Sequence, residues 1–137
     1  MTQEILLNAF MMNCVTHLAP GQWRQPRDEA ARYLDPDYWT DLARHLERGL
    51  FDGLFLGDVM GVYDVDGGSP ITALRSAAQV PMNDPFPLIP LMAQATRHLG
   101  FGVTASATYE APYLLARRFT TLDHLTRGRV AWNIVAS

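Results

Sequence analysis

Four apolar runs, Ile5 to Met12, Gly53 to Gly57, Phe101 to Ala105 and Val130 to Val135, are separated by three segments in which apolar positions recur at helical spacing. The runs show little polar alternation, the pattern of strands buried on both faces. Asp35-Pro36 opens the first helical segment, since Asp caps free N–H groups and Pro fits the first helical position. Trp39, Leu42, Ala43 and Leu46 form its stripe, and Gly49 is expected to end it in the left-handed position. Asp84-Pro85 repeats the opening. Leu88, Leu91, Met92, Ala95 and Leu99 make the second apolar face, with Pro87 and Pro90 delaying the regular helix. The third helix runs from Pro112 to Gly128 with Leu115, Phe119, Leu122 and Leu125 on one side.

Strands that alternate with crossover helices lie parallel. The fold class is therefore α/β, a parallel TIM-barrel-type (β/α) arrangement carrying four of the eight strands that close such a barrel, either a half-barrel or a truncated one. The long excursions, Cys14 to Asp35 and Val59 to Asn83, both follow strands, and both read as irregular loops. In such barrels the loops after strands hold the chemistry. A dinucleotide-binding first strand would need a Gly-rich turn, which the first excursion lacks.

At 137 residues, 48% hydrophobic and 18% charged, the chain suits one domain. A net charge of −3 offers no basic patch to nucleic acid. The start lacks a signal-peptide pattern and no apolar stretch reaches membrane-spanning length, so a cytoplasmic location away from membranes is expected. The single cysteine, Cys14, excludes an internal disulfide and a cysteine-built metal site, and no metal is expected.

The strand ends carry Asp58, Thr104, Ser106, Thr108, Asn133 and Ser137. His17, just past the first strand, is a candidate general acid or hydrogen-bond donor; the alternative is a loop histidine satisfied by backbone. His45, His98 and His124 fall in or at the ends of helices, the latter two in last turns that favour positive charge. Cys14 is either a nucleophile with His17 or a buried small hydrophobe. Asp58 lacks a partner for a glycosidase pair, because Glu110, the other acid near a strand end, reads as a helix cap. Arg117-Arg118 reads as a solvated helix face. No GxSxG or P-loop pattern occurs.

Four stretches together, MNCVTH (Met12 to His17), FDGLFLGDVMGVYD (Phe51 to Asp64), QVPMNDP (Gln79 to Pro85) and Gly100 to Ser137, resemble flavin-dependent monooxygenases of the bacterial luciferase superfamily. The similarity is narrower to the group of nitrilotriacetate monooxygenase component A, dibenzothiophene-sulfone monooxygenase and long-chain alkane monooxygenase. It implies that residues 1–137 are the N-terminal half of a (β/α)₈ barrel domain in an oxidoreductase. Such an enzyme takes reduced FMN from a separate NAD(P)H-dependent flavin reductase and uses O₂ to oxygenate an amine, an organosulfur compound or an alkane. By this resemblance Asp58, Thr104, Ser106, Asn133 and Ser137 surround FMN, Cys14, Gln79 and Asn83 line the substrate pocket, and His17 and Tyr63 are catalytic donors. Family members are about three times longer, so a chain of this extent is expected to bind flavin poorly alone. A homo-oligomer is expected. The alternative is a non-catalytic half-barrel whose free strand edges self-associate or pair with a missing C-terminal half.

Overall fold

A computed structural model describes residues 5–17, 19 and 21–136. Four strands, β1 (Asn8–Met12), β2 (Gly53–Gly57), β3 (Gly100–Ser106) and β4 (Val130–Val135), form one parallel sheet in the order β1-β2-β3-β4. Each new strand is added beside the last, the progression of a barrel rather than of an open doubly wound sheet. The register aligns Phe10 with Phe55, Phe55 with Gly102, and Thr104 with Asn133.

Helices cover one face only. α1 (Pro36–Arg48), α3 (Leu88–Gln94) and α4 (Pro112–Thr126) pack Trp39, Ala43, Ile89, Met92, Leu115 and Leu122 against Leu54, Leu56, Phe101, Val103 and Ala105. Burying the leucine, isoleucine, valine, methionine and phenylalanine side chains among these stabilises by roughly 1.5–3 kcal/mol each. The opposite face, with Phe10, Phe55, Gly102, Thr104 and Asn133, lines open cavities. The first run is thus covered on one side rather than both, and its strand starts at Asn8, leaving Ile5 and Leu6 85% and 69% exposed.

α1 begins as its sequence predicts, with the Asp37 N–H donating to Asp35. Its end differs. Gly49 has φ −78°, and Leu50 takes the left-handed position at φ 60°. The Phe51 N–H bonds back to the Leu46 carbonyl and Leu50 to Glu47, which closes a Schellman turn one residue later than expected. The second excursion is not wholly irregular: a short helix α2 (Ile71–Ser76) opens at Pro70 with no side-chain cap. Two 3₁₀ turns, Gln22–Arg24 and Ala30–Arg32, punctuate the first. In α3 and α4 the expected faces rotate slightly. Leu91 and Leu125 are exposed, whereas Ile89, Ala93 and Thr126 are buried.

His98 lies past α3 rather than in its last turn. Its N–H joins those of Arg97 and Leu99 in donating to one Glu47 oxygen, at 2.5, 2.8 and 3.0 Å. Desolvation pushes this carboxyl up, but the three N–H donors together hold its pKa below the ordinary value. A carboxyl depressed on folding stabilises above its unfolded pKa, and that contribution disappears as pH falls through the folded value. Glu47→Gln is expected to cost about 1–2 kcal/mol at pH 7. In urea titrations the deficit should shrink below about pH 4; a deficit independent of pH would sink this assignment.

Candidate active site

At the carboxyl ends of the strands, on the face without helices, a cavity of about 460 Å³ opens. Its floor is aromatic. The Phe10 and Phe55 rings stand 5.1 Å apart, and the His17 ring lies 4.5 Å from Phe10. Two glycines make this floor possible: a Cβ on Gly57 would come within 2.7 Å of the Phe10 ring, and one on Gly102 within 3.1 Å of the Phe55 ring. Neither Phe10, Phe55 nor these glycines stood out in the sequence, because their signal is inward-facing glycines in register beside aromatic positions on neighbouring strands.

Along one side of the floor stand Thr104, Ser106 and Asn133, with the Asn133 amide donating to the Thr104 hydroxyl at 3.0 Å. β3 and β4 supply them because their alternate residues face inward. Asp58, directly after β2, lines the same cavity with Met12, Met60, Tyr63 and Gln79. Gln79 is 3% exposed and sits at φ 55°; its amide donates to the Met12 sulfur at 3.4 Å while its carbonyl oxygen has no partner. A buried acceptor left unpaired costs about 1–3 kcal/mol.

The loops after β1 and β2 are tied together. The Gln79 N–H donates to the Thr16 carbonyl, the Asn83 N–H to the Asn13 carbonyl, and Cys14 bridges to Met82. Cys14 is buried within this wall, its thiol donating to the Thr16 carbonyl at 3.1 Å. Burial pushes that thiol up, which disfavours the thiolate and hence the nucleophile reading. His17 is partly buried, and desolvation lowers its pKa, so the neutral imidazole is favoured near pH 7. The cavity thus gathers His17, Tyr63, Gln79, Asp58, Thr104, Ser106 and Asn133, while Cys14 lies behind its wall. Ser137 lies outside the described residues.

A second cavity of about 230 Å³ lies behind the first and shares Asp58, Val59, Met60 and Thr104 with it. Asn83, Asp84 and Glu110 line it. Asp58 is therefore not a lone acid. Burial pushes its carboxyl up, Asp84 adds to this, the Val59 N–H opposes it, and Glu110 adds a little more. Glu110 does not cap α4; it binds Arg118 at 2.6 Å, and Arg118 lies over the Phe86 ring at 4.6 Å. That arginine is a link between α4 and the preceding loop rather than a solvated one. Among the described residues no group of three or more His, Cys, Asp or Glu is arranged to hold a metal ion.

Residues 10–137 match the family model described as luciferase-like monooxygenase. The chain belongs to that family. It is 62% identical over 137 residues to the dimethyl-sulfide monooxygenase of Hyphomicrobium sulfonivorans, covering 100% of this chain and 28% of that protein. Identity to the long-chain alkane monooxygenase of Geobacillus thermodenitrificans is 58%, over 100% of this chain and 31% of the relative. A crystal structure of a long-chain alkane monooxygenase superposes with a TM-score of 0.97, covering 100% of this chain and 32% of that one. The chain thus spans less than a third of these relatives' length. A riboflavin lyase solved with modified FMN superposes with a TM-score of 0.90 at 30% identity, covering 98% of this chain and 30% of that one. The chain is therefore luciferase-like, with a TIM-barrel-type fold of which it carries four parallel strands. Among its described residues no helix is long and apolar enough to cross a membrane.

Proposed function

We propose that residues 1–137 form the first four strands of a (β/α)₈ barrel domain in a two-component monooxygenase that uses reduced FMN and O₂. The observation that carries this reading is the aromatic floor on glycines, edged by Thr104, Ser106 and Asn133 and faced by His17, Gln79 and Asp58. The residues present fit a flat heteroaromatic ring, whose faces want apolar contact and whose rim wants hydrogen bonds. None of the described lining residues is Arg or Lys, so these side chains suit the ring of FMN rather than its phosphate.

Reduced FMN, when bound, supplies two electrons, so that one oxygen atom of O₂ enters the substrate and the other leaves as water. The Phe10 and Phe55 rings seat the flavin, and the Thr104, Ser106 and Asn133 side chains orient its rim. Met12, Val59, Met60 and Val135 keep water from the reacting oxygen, which limits wasteful peroxide release. Neutral His17 donates a hydrogen bond from its ring N–H to that oxygen, with Tyr63 as the second donor. Gln79 holds the substrate, and Asn83 and Cys14 support the wall around it. The flavin comes from a separate NAD(P)H-dependent reductase, and the enzyme works in the cytoplasm.

The test is reconstitution of the full-length protein with reductase, NADH, FMN and O₂. Substrate-dependent oxygen incorporation is expected. Normal FMN binding without oxygenation of amines, sulfones, sulfides or alkanes would remove the reading. A second reading, a non-catalytic half-barrel, rests on β1 and β4, each paired on only one side among the described residues. It predicts self-association of the 137-residue chain; a stable monomer by light scattering would count against it and against a homo-oligomer built through these edges.

A further inference from the structure

The wall of the front cavity holds a thioether sulfur placed to be oxidised there. Met12, the last residue of β1, is 4% exposed, yet it lines the cavity. Its partner across the sheet is Gly57, which has no side chain to cover it: a Cβ there would come within 3.3 Å of Met12 Cγ. The buried Gln79 amide donates to Met12 Sδ at 3.4 Å. A thioether sulfur has two lone pairs and is a weak acceptor, so this contact engages one pair and leaves the second for an oxygen donor. The other sulfur atoms are placed differently. Met60 also lines the cavity but is 62% exposed, Met82 borders the rear cavity, and Met11 and Met92 pack into the core on the helix side. The Cys14 thiol lies behind the wall, where burial favours its protonated form, whereas thiol oxidation proceeds from the thiolate.

We propose, on the monooxygenase reading above, that Met12 is a site of oxidative modification, its Sδ taking one oxygen from hydrogen peroxide released within the cavity to give methionine sulfoxide. The peroxide O–O bond breaks as a sulfur lone pair forms the S–O bond. Sulfur loses two electrons, and the second peroxide oxygen leaves as water with both protons. Because the Gln79 amide holds one lone pair, the oxygen adds to the other, and one sulfoxide epimer predominates. The product sets a polar oxygen beside Phe10 and Phe55, in a wall that otherwise keeps water out. Oxidation at Met12 is thus a brake on an enzyme that wastes its electrons as peroxide, and sulfoxide reductases release it.

The test locates the added oxygen by peptide mass spectrometry of the full-length protein. With dilute hydrogen peroxide and no flavin, exposed Met60 should react first, and Met12 should react at least about tenfold faster than Met11 or Met92. In urea all four should react alike. With reductase, NADH, FMN and O₂ but no substrate, catalase in the solution should protect Met60 and leave Met12 oxidised, because it destroys peroxide only after release. Reductases specific for each epimer should find at least about a threefold excess of one epimer at Met12 in the folded protein and near-equal amounts in urea. Gln79→Leu should erode that excess; if the variant does not fold, the comparison of folded with urea-treated wild type still decides. Met12 reacting as slowly as Met92, catalase protecting Met12 and Met60 equally, or equal epimers in the folded protein would each overturn the proposal. The two readings fail apart. Substrate oxygenation with Met12 unmodified throughout keeps the monooxygenase and ends the modification site, whereas selective oxidation of Met12 by added peroxide in a protein that oxygenates nothing keeps the site and ends the monooxygenase.

Discussion

Arg129→Ala is expected to destabilise the fold by about 3–5 kcal/mol, a large part of the 5–15 kcal/mol that holds a typical domain together. The guanidinium joins the end of α4, the end of α3 and the residue before β3. Nε donates to the Thr126 carbonyl at 2.9 Å at the end of α4, and Nη1 to the Leu99 carbonyl at 2.8 Å and the Thr96 hydroxyl at 3.1 Å. Nη2 donates to the Ala93 carbonyl at 2.9 Å and, more weakly, to that of Thr96 at 3.3 Å. Truncation takes a charged donor from each of these half-buried carbonyls; that of Ala93 keeps the Thr96 N–H, and for the others an unpaired group costs about 1–3 kcal/mol less whatever water recovers. Arg129→Lys should recover little, because an ammonium lacks the fork that reaches carbonyls on several elements at once. Urea unfolding reads the result, with a drop in Tm of roughly 10 °C or more as its thermal counterpart. A loss under 1 kcal/mol would mean that water replaces the arginine fully.

His17→Ala in the full-length protein is expected to leave FMN affinity nearly unchanged and to slow oxygenation by roughly 10²- to 10⁴-fold, the range for a positioned hydrogen-bonding or acid–base group at the reacting atom. More of the reduced flavin's electrons should be lost as hydrogen peroxide. His17 sits against the Phe10 ring, at the edge of the floor, so its removal opens space without taking away the strand-end groups expected to orient the flavin. If the ring only packs on Phe10, the substitution should lower the melting temperature and leave the ratio of product to peroxide alone. Measuring both separates the two roles, and an unchanged ratio retires the catalytic one.

The parts of this molecule that sequence reveals are those set by neighbours in the chain. β2 is bounded by Gly53 and Gly57 as expected, and α1 by the Asp35-Pro36 pair, because turn and cap chemistry act over a few residues. α2 was missed for the same reason: six residues with no capping side chain leave no local mark. The polar strand ends were legible as a set, since strand and loop alternation put Asp58, Thr104, Ser106 and Asn133 at one end. The aromatic floor and the approach of Asp84 to Asp58 were not, since both depend on register across strands and on how two distant loops meet. Leu50 in a left-handed conformation is likewise a tertiary outcome, imposed by the approach of Phe51 to α1 against local preference.

The hydrogen bonds that join the loop after β1 to the loop after β2 also bear on how such a site could diversify. Removing one residue between Asn13 and Thr16 would drag Gln79 and Asn83 out of place, since their N–H groups are bonded to those positions. By contrast, Val62 and Val65 stand exposed outside the cavity lining, and a Cβ added at Gly67 or Gly68 would meet nothing within 4 Å. Insertions there would lengthen the rim and leave the wall standing. Drift in substrate size should therefore accumulate in residues 64–68, while residues 13–16 and 79–83 should change only in concert.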